Sequence, residues 1–115
     1  MNETIYVSNV ETTDTTVVLI PNRTIRNVSN CGCYRLVLCC RAAATENLPV
    51  FIRTNIGDIP VLCKMGNTMY ANQLNLRVNY PIGYGNQNEN YPDGQFIVLS
   101  RVNPKGTITP GVYSI

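Results

Sequence analysis

The sequence predicts an all-β chain forming one domain over residues 1–115: a β-sandwich or barrel of about eight short, mainly antiparallel strands. Three observations carry that prediction. β-Branched and aromatic residues recur in short runs with period-two alternation, the pattern of a half-buried strand. Asn, Asp, Gly and Pro clusters punctuate those runs roughly every 8–14 residues, the spacing of sandwiches and barrels. The 115 residues suffice for one core and are too few for two.

Taken in order, Thr4-Ile5-Tyr6-Val7 is a short strand, broken by Glu11-Thr12-Thr13-Asp14. Thr15 to Ile20 is β-branched except for Leu19, a strong strand signal, and Pro21-Asn22 ends it. Thr24 to Val28 forms a further short strand, with Ser29-Asn30 as a turn. The longest β-type run follows, from Cys31 to Arg41, and holds four of the five cysteines. As a strand over about Cys33 to Arg41 it places Tyr34, Leu36, Leu38 and Cys40 on a core face, and Cys33, Arg35, Val37, Cys39 and Arg41 on the other.

The Ala-rich patch Ala42 to Asn47 is long enough for one helical turn only. Pro49 to Thr54 and Ile59 to Lys64 read as a hairpin about Asn55-Ile56-Gly57-Asp58, with Pro60 marking an edge or a strand start. Met65 to Thr68 is a turn, and Met69 to Gln73 a short helix or loop. Leu74 to Tyr80 shows the cleanest alternation: Leu74, Leu76, Val78 and Tyr80 inward, Asn75, Arg77 and Asn79 outward. Residues 81–94 form a long polar loop rich in Gly and Asn. Gln95 to Val102 is apolar on both faces and is expected to be covered on both. Asn103 to Gly106 is a turn, and Thr107 to Ile115 a last β-type segment. Both chain ends are expected to join a sheet or pack on a neighbour, since ends fray unless held.

Composition narrows the function classes. Charged residues make up only 14% of the chain, against about 25% in an average protein. Interface cores are depleted of Lys, Glu and Asp and favour Arg and Tyr, and the chain's two lysines and seven arginines follow that bias. The net charge of +2 is scattered, with no basic run, so nucleic acid is not an expected partner. The N-terminus has no secretory apolar region and no apolar run is long enough for a helical membrane span, so no membrane association is expected. An odd number of cysteines, five, fits synthesis in a reducing cytosol, with thiols acting as small apolar groups. On that reading the sequons at Asn2, Asn22 and Asn27 are accidental.

No catalytic or cofactor motif stands out. The chain lacks histidine, which removes Ser-His and Cys-His dyads. The cysteines fall as a C-x-C pair, an adjacent pair and a single Cys63, not as the C-x₂₋₄-C pairs of a structural zinc site. No phosphate-binding glycine motif is present. No enzyme activity, cofactor or metal is therefore expected. The 81–94 loop exceeds what a connection needs, so it is the expected binding element. Its candidate interface residues are Tyr84, Asn86, Asn88, Asn90, Tyr91 and Asp93. The alternating asparagines have something of a calcium-loop spacing without its carboxylate count, and the tyrosines could stack on a sugar.

This overall character — small, charge-poor, Asn/Thr-rich, β-stranded and without catalytic residues — is similar to that of auxiliary or decoration proteins of tailed-bacteriophage capsids, including those of the crAss-like group. The resemblance spans the chain as a whole and carries no site residues with it. It implies a structural virion protein, made in the host cytoplasm, that binds the major capsid protein lattice or other virion proteins and stabilises it. The chain itself is a further candidate partner, as a homo-oligomer. Two alternatives remain open at this point: a carbohydrate-binding or adhesin module of a head fibre or tail, and a small β-barrel that binds nucleic acid.

Overall fold

A computed structural model describes residues 3–26, 34–40, 48–85 and 89–104. Seven strands close into a barrel: β1 (Glu3–Thr12), β2 (Val17–Pro21), β3 (Tyr34–Leu38), β4 (Val50–Thr54), β5 (Gly57–Leu62), β6 (Tyr80–Gly85) and β7 (Gln95–Val98). Around the barrel the order is β1-β2-β4-β5-β7-β6-β3, returning to β1. Four of the seven ladders are antiparallel (β1–β2, β3–β6, β4–β5, β6–β7) and three are parallel (β1–β3, β2–β4, β5–β7). The all-β expectation holds, and the barrel is the form it takes.

Alternation builds the core. Ile5 and Val7, Val17 and Leu19, Leu36 and Leu38, Val50 and Ile52, Ile59 and Val61 are buried at two-residue spacing and pack as one cluster with Tyr34, Tyr80, Ile82, Phe96 and Val98. Local chemistry sets the two shorter hairpin turns. Between β1 and β2 the Thr13 hydroxyl accepts from the Thr15 and Thr16 amides at 3.3 and 3.0 Å, replacing ladder bonds with a side-chain turn. Between β4 and β5 the buried Thr54 hydroxyl donates to the Gly57 carbonyl at 2.8 Å and accepts from the Ile56 amide at 3.2 Å. Gly57 takes φ of 124° there, a value that disfavours any side chain.

The strand directions give the barrel two distinct ends. The end where β2 and β4 begin is plugged by residues 63–79. Met69 is fully buried, its amide bonded to the Val61 carbonyl and its carbonyl to the Val50 amide, both at 3.0 Å. A single 3-10 turn, Ala71–Gln73, follows and is buried throughout. Asn103 locks this plug. Its amide donates to the Gln73 carbonyl at 3.0 Å, and its side-chain amide to the Asn72 carbonyl at 3.2 Å and to Asn75 Oδ1 at 2.8 Å.

That plug corrects the expected strand from Leu74 to Tyr80. Leu74 is buried as part of the plug and Tyr80 as the first residue of β6, but Leu76 is half-buried and Val78 is exposed. Arg77 has φ of 60°, a left-handed residue that reverses the chain where a strand would continue. Other boundaries also move. β1 runs through Glu11 and Thr12 instead of breaking there, and residues 24–26 are not a strand. β3 stops at Leu38, leaving Cys39 exposed and Cys40 half-buried instead of in the core. Within β1, Ile5 and Val7 are buried and Tyr6 between them is exposed. Pro60 is not at an edge: β5 lies between β4 and β7, and the β7 ladder begins only at Val61, so the missing donor costs no ladder bond. β7 stops at Val98 instead of reaching Val102, and its second apolar face is not covered as expected: Ile97 is half-buried and Leu99, just past the strand, is exposed. Residues 27–33, 41–47 and 105–115, on which the remaining strand, turn and helical-turn expectations fall, lie outside the described residues.

Candidate functional site

The other end of the barrel collects what the plugged end does not. β2 and β4 finish there, β1, β3, β5 and β7 start there, and β6 runs into it. Three connections therefore share one rim: residues 22–26, the Asn55-Ile56 turn, and residues 86–94 between β6 and β7.

The loop expected over 81–94 begins later. Residues 80–85 are β6, in spite of Pro81, Gly83 and Gly85. Pro81 carries no amide hydrogen, yet its carbonyl accepts from Leu99 at 2.8 Å just past the end of β7, so the missing donor falls where that ladder has stopped. Nine residues, 86–94, then connect Gly85 to Gln95.

The candidate interface residues divide into anchors and presented groups. Tyr84 is an anchor. It follows Tyr80 and Ile82 on the inward face and packs half-buried on the core, its ring meeting Phe96 edge-on at 5.5 Å. Its hydroxyl donates to the Asp93 carbonyl at 2.6 Å. The Gly94 amide bonds back to the Tyr91 carbonyl at 2.8 Å, closing a turn with Pro92 at the position that suits its fixed φ. Gly94 is buried at φ of 92°, and any side chain there would run into the Tyr84 phenol. Asn90 and Asp93 are exposed and Tyr91 half-buried, so these three are displayed on the rim. Asn86 and Asn88 lie outside the described residues. Gln95 faces Gly85 across the ladder with its amide packed where a side chain at 85 would sit. Its Oε1 is buried with no hydrogen-bond partner among the described residues.

On the outer face of β4, next to this rim, three charges are engaged with one another. Arg53 donates to Asp58 at 3.0 Å and to Glu11 at 3.1 Å, and these hydrogen bonds, Asp58 first, hold its guanidinium above its usual range. The group is exposed, so the pair orients the surface of β4 more than it stabilises the fold. Two segments that the sequence did not mark as binding elements also reach the rim: Asn22 to Ile25, read there as a strand ending and the start of a further strand, and the exposed Ile56 of the expected turn.

Among the described residues Cys40 and Cys63 are half-buried and Cys39 is exposed. Burial pushes Cys40 up, with Cys39 adding to it, and burial pushes Cys63 up while a Gln73 hydrogen bond partly offsets it. Both are therefore protonated at neutral pH, the opposite of an activated nucleophile. Among the described residues no three His, Cys, Asp or Glu side chains converge, and no helix is long and apolar enough to cross a membrane.

These shifts predict an alkaline limit to stability. Burial also raises Tyr80, against a hydrogen bond from the Asn75 amide, and raises Tyr34, with Glu3 adding to it. Each group holds its proton more tightly folded than unfolded, so its stabilising contribution is complete below the unfolded value and is lost as pH rises through the folded one. Urea midpoints should be flat to about pH 8, then decline from near 9.0 as the unfolded thiols ionise and more steeply past 10.0 as the tyrosines follow. A midpoint that stays level to pH 11 would contradict this placement of the four groups.

No known family model matches the sequence, and neither a curated protein nor a solved structure gives a significant match to the chain.

Proposed function

We propose that the chain is a structural virion protein: a capsid auxiliary or decoration protein that binds a lattice of major capsid protein and stabilises it. The observation that supports this most is the division of labour between the barrel's ends. One is filled by the Met69 plug and locked by Asn103; the other displays Asn90, Tyr91 and Asp93 on a turn pinned from inside by Tyr84. A loop held this way has already lost much of its conformational entropy, so binding has less left to oppose it. The low charge of the chain fits a surface covered by neighbours. Repetition over a symmetric lattice would turn modest contacts into firm attachment.

The test is deletion of Asn86 to Asn90. It leaves Tyr91-Pro92-Asp93-Gly94 as a four-residue hairpin loop, a common length, and keeps the Tyr84 anchor. The shortened protein should fold with its thermal midpoint within a few degrees of the full chain, yet load onto purified particles at least about tenfold less well. Full loading with unchanged resistance to heat and salt would remove the loop from the interface. Loss of binding to a glycan that the full chain binds would instead favour an adhesin module.

A further inference from the structure

β1 has ten residues where β2 and β3 have five each, and it pairs on its two sides over different halves. Glu3 to Val7 run beside β3; Val7 to Thr12 run beside β2, with the register slipping between Val7 and Asn9. Such a bulge bends a strand and ends pairing on one side. Asn22 fixes the divergence: its amide donates to the Tyr6 carbonyl at 2.8 Å, and its Oδ1 accepts from the Ser8 amide at 3.1 Å. The chain then crosses the barrel end to Ile25, which is buried and whose carbonyl accepts from the Asn55 amide at 3.1 Å. Between these segments lies a cleft of about 410 Å³, with the β1 stretch from Glu3 to Tyr6 on one wall and Asn22, Arg23 and Ile25 on the other.

The main-chain groups facing that cleft follow from alternation along the strand. The Val7 carbonyl accepts from Cys39 on the β3 side, so Ile5 and Glu3 also turn their polar groups to β3. The Tyr6 carbonyl faces Asn22. Hence the Thr4 N–H, the Thr4 carbonyl and the Tyr6 N–H point into the cleft, along an edge that no described strand covers. Arg23, exposed beside it, forms no ion pair among the described residues.

We propose that this cleft binds an extended peptide segment of a partner protein, which adds to the open edge of β1 as a strand. Its N–H would donate to the Thr4 carbonyl, its carbonyls would accept from Thr4 and Tyr6, and a carboxylate on it would meet Arg23. Main-chain bonds supply affinity in such strand addition and flanking groups supply selectivity. The wall opposite β1, with Asn22, Arg23 and Ile25, encloses the open edge in a cleft of about 410 Å³ instead of leaving it flat on the surface. The inference goes beyond lattice binding and stands without it.

The probe is a labelled, acetylated hexapeptide of alternating threonine and valine with a free carboxyl terminus, titrated by fluorescence polarisation. A matched peptide N-methylated on the pairing edge cannot donate. Saturable binding is expected, at least about tenfold weaker for the N-methylated peptide and for Thr4→Pro, and unchanged for Thr4→Ala. Proline at 4 removes only an N–H that faces away from β3, a position where strands tolerate it. Arg23→Glu should weaken the free-carboxylate peptide and leave its amidated form unaffected. Should Thr4→Pro fail to fold, the two peptides against the unaltered protein decide the matter. No saturation up to about 1 mM, or equal binding of both peptides, overturns the proposal. Concentration-dependent dimerisation of the unaltered protein that Thr4→Pro abolishes would assign the edge to a second copy and overturn it too.

Discussion

Phe96→Ala is expected to destabilise the barrel by about 3–5 kcal/mol, the range for removing a fully buried aromatic ring. Phe96 has no exposed surface and stands at a junction: its register partners are Val61 on β5 and Tyr84 on β6. Tyr34 meets its ring edge-on at 6.4 Å and 78°, and Tyr84 does so at 5.5 Å and 64°, an arrangement worth more than its area alone. The cavity would open between three strands whose ladders cannot collapse inward. Against a typical total of about 5–15 kcal/mol, that loss should show as a sharply lowered urea midpoint. Leu76→Ala is the contrast. Alternation placed Leu76 in the core, but it is half-buried, so about 1 kcal/mol or less is expected. Equal losses for the two variants would mean that residue 76 is packed as tightly as the barrel interior.

Gly94→Ala is expected to unlatch the 86–94 connection. The backbone at φ of 92° alone costs an ordinary residue on the order of 1–3 kcal/mol, and the new methyl would also collide with the Tyr84 phenol. The ring must leave, and with it go the bond to the Asp93 carbonyl and the contact with Phe96. Tyr84→Phe keeps the ring and should cost only about 1 kcal/mol, the usual size of one hydrogen bond. The decisive comparison is the Tyr84→Ala/Gly94→Ala double variant. With the ring already gone the collision vanishes, so the double variant should lose clearly less than the sum of the singles. Strict additivity would show that Gly94 and Tyr84 do not meet.

The strands that were legible are those whose alternation and turn chemistry agree. Pro49 to Thr54 and Ile59 to Lys64 read as a hairpin about Asn55 to Asp58, and β4 and β5 form it; the run from Cys33 to Arg41 read as a strand because large residues recur at every second position, and β3 occupies its middle, Tyr34 to Leu38. Leu74 to Tyr80 misled for a physical reason. A plug that tucks Leu74 inward and then reverses at Arg77 before Tyr80 starts β6 leaves the same spacing as a strand. β6 was hidden in the opposite way, since Pro81, Gly83 and Gly85 carry turn composition while Tyr80, Ile82 and Tyr84 alternate beneath it. At the rim, loop length singles out Tyr91 and Asp93 as candidates, but period two records only which face a residue takes. It does not record which strands are neighbours, so neither the inward role of Tyr84 nor the cleft beside Thr4 could be read from spacing.

The three parallel ladders also govern how the chain reaches its native state. A parallel pair cannot be joined by a tight turn, so β1–β3, β2–β4 and β5–β7 each need a crossover, and the longest closure brings β3 to β6 across more than forty intervening residues. Only the β1–β2, β4–β5 and β6–β7 hairpins form locally. Until the ring closes, each hairpin exposes two unpaired edges and a row of valines, leucines and isoleucines. Such topologies fold in milliseconds to seconds and are sticky on the way. A barrel lacking one ladder is an open sheet with two unpaired edges, so closing the ring protects the paired stretches from self-association and leaves the Thr4–Tyr6 stretch of β1 as an exposed edge.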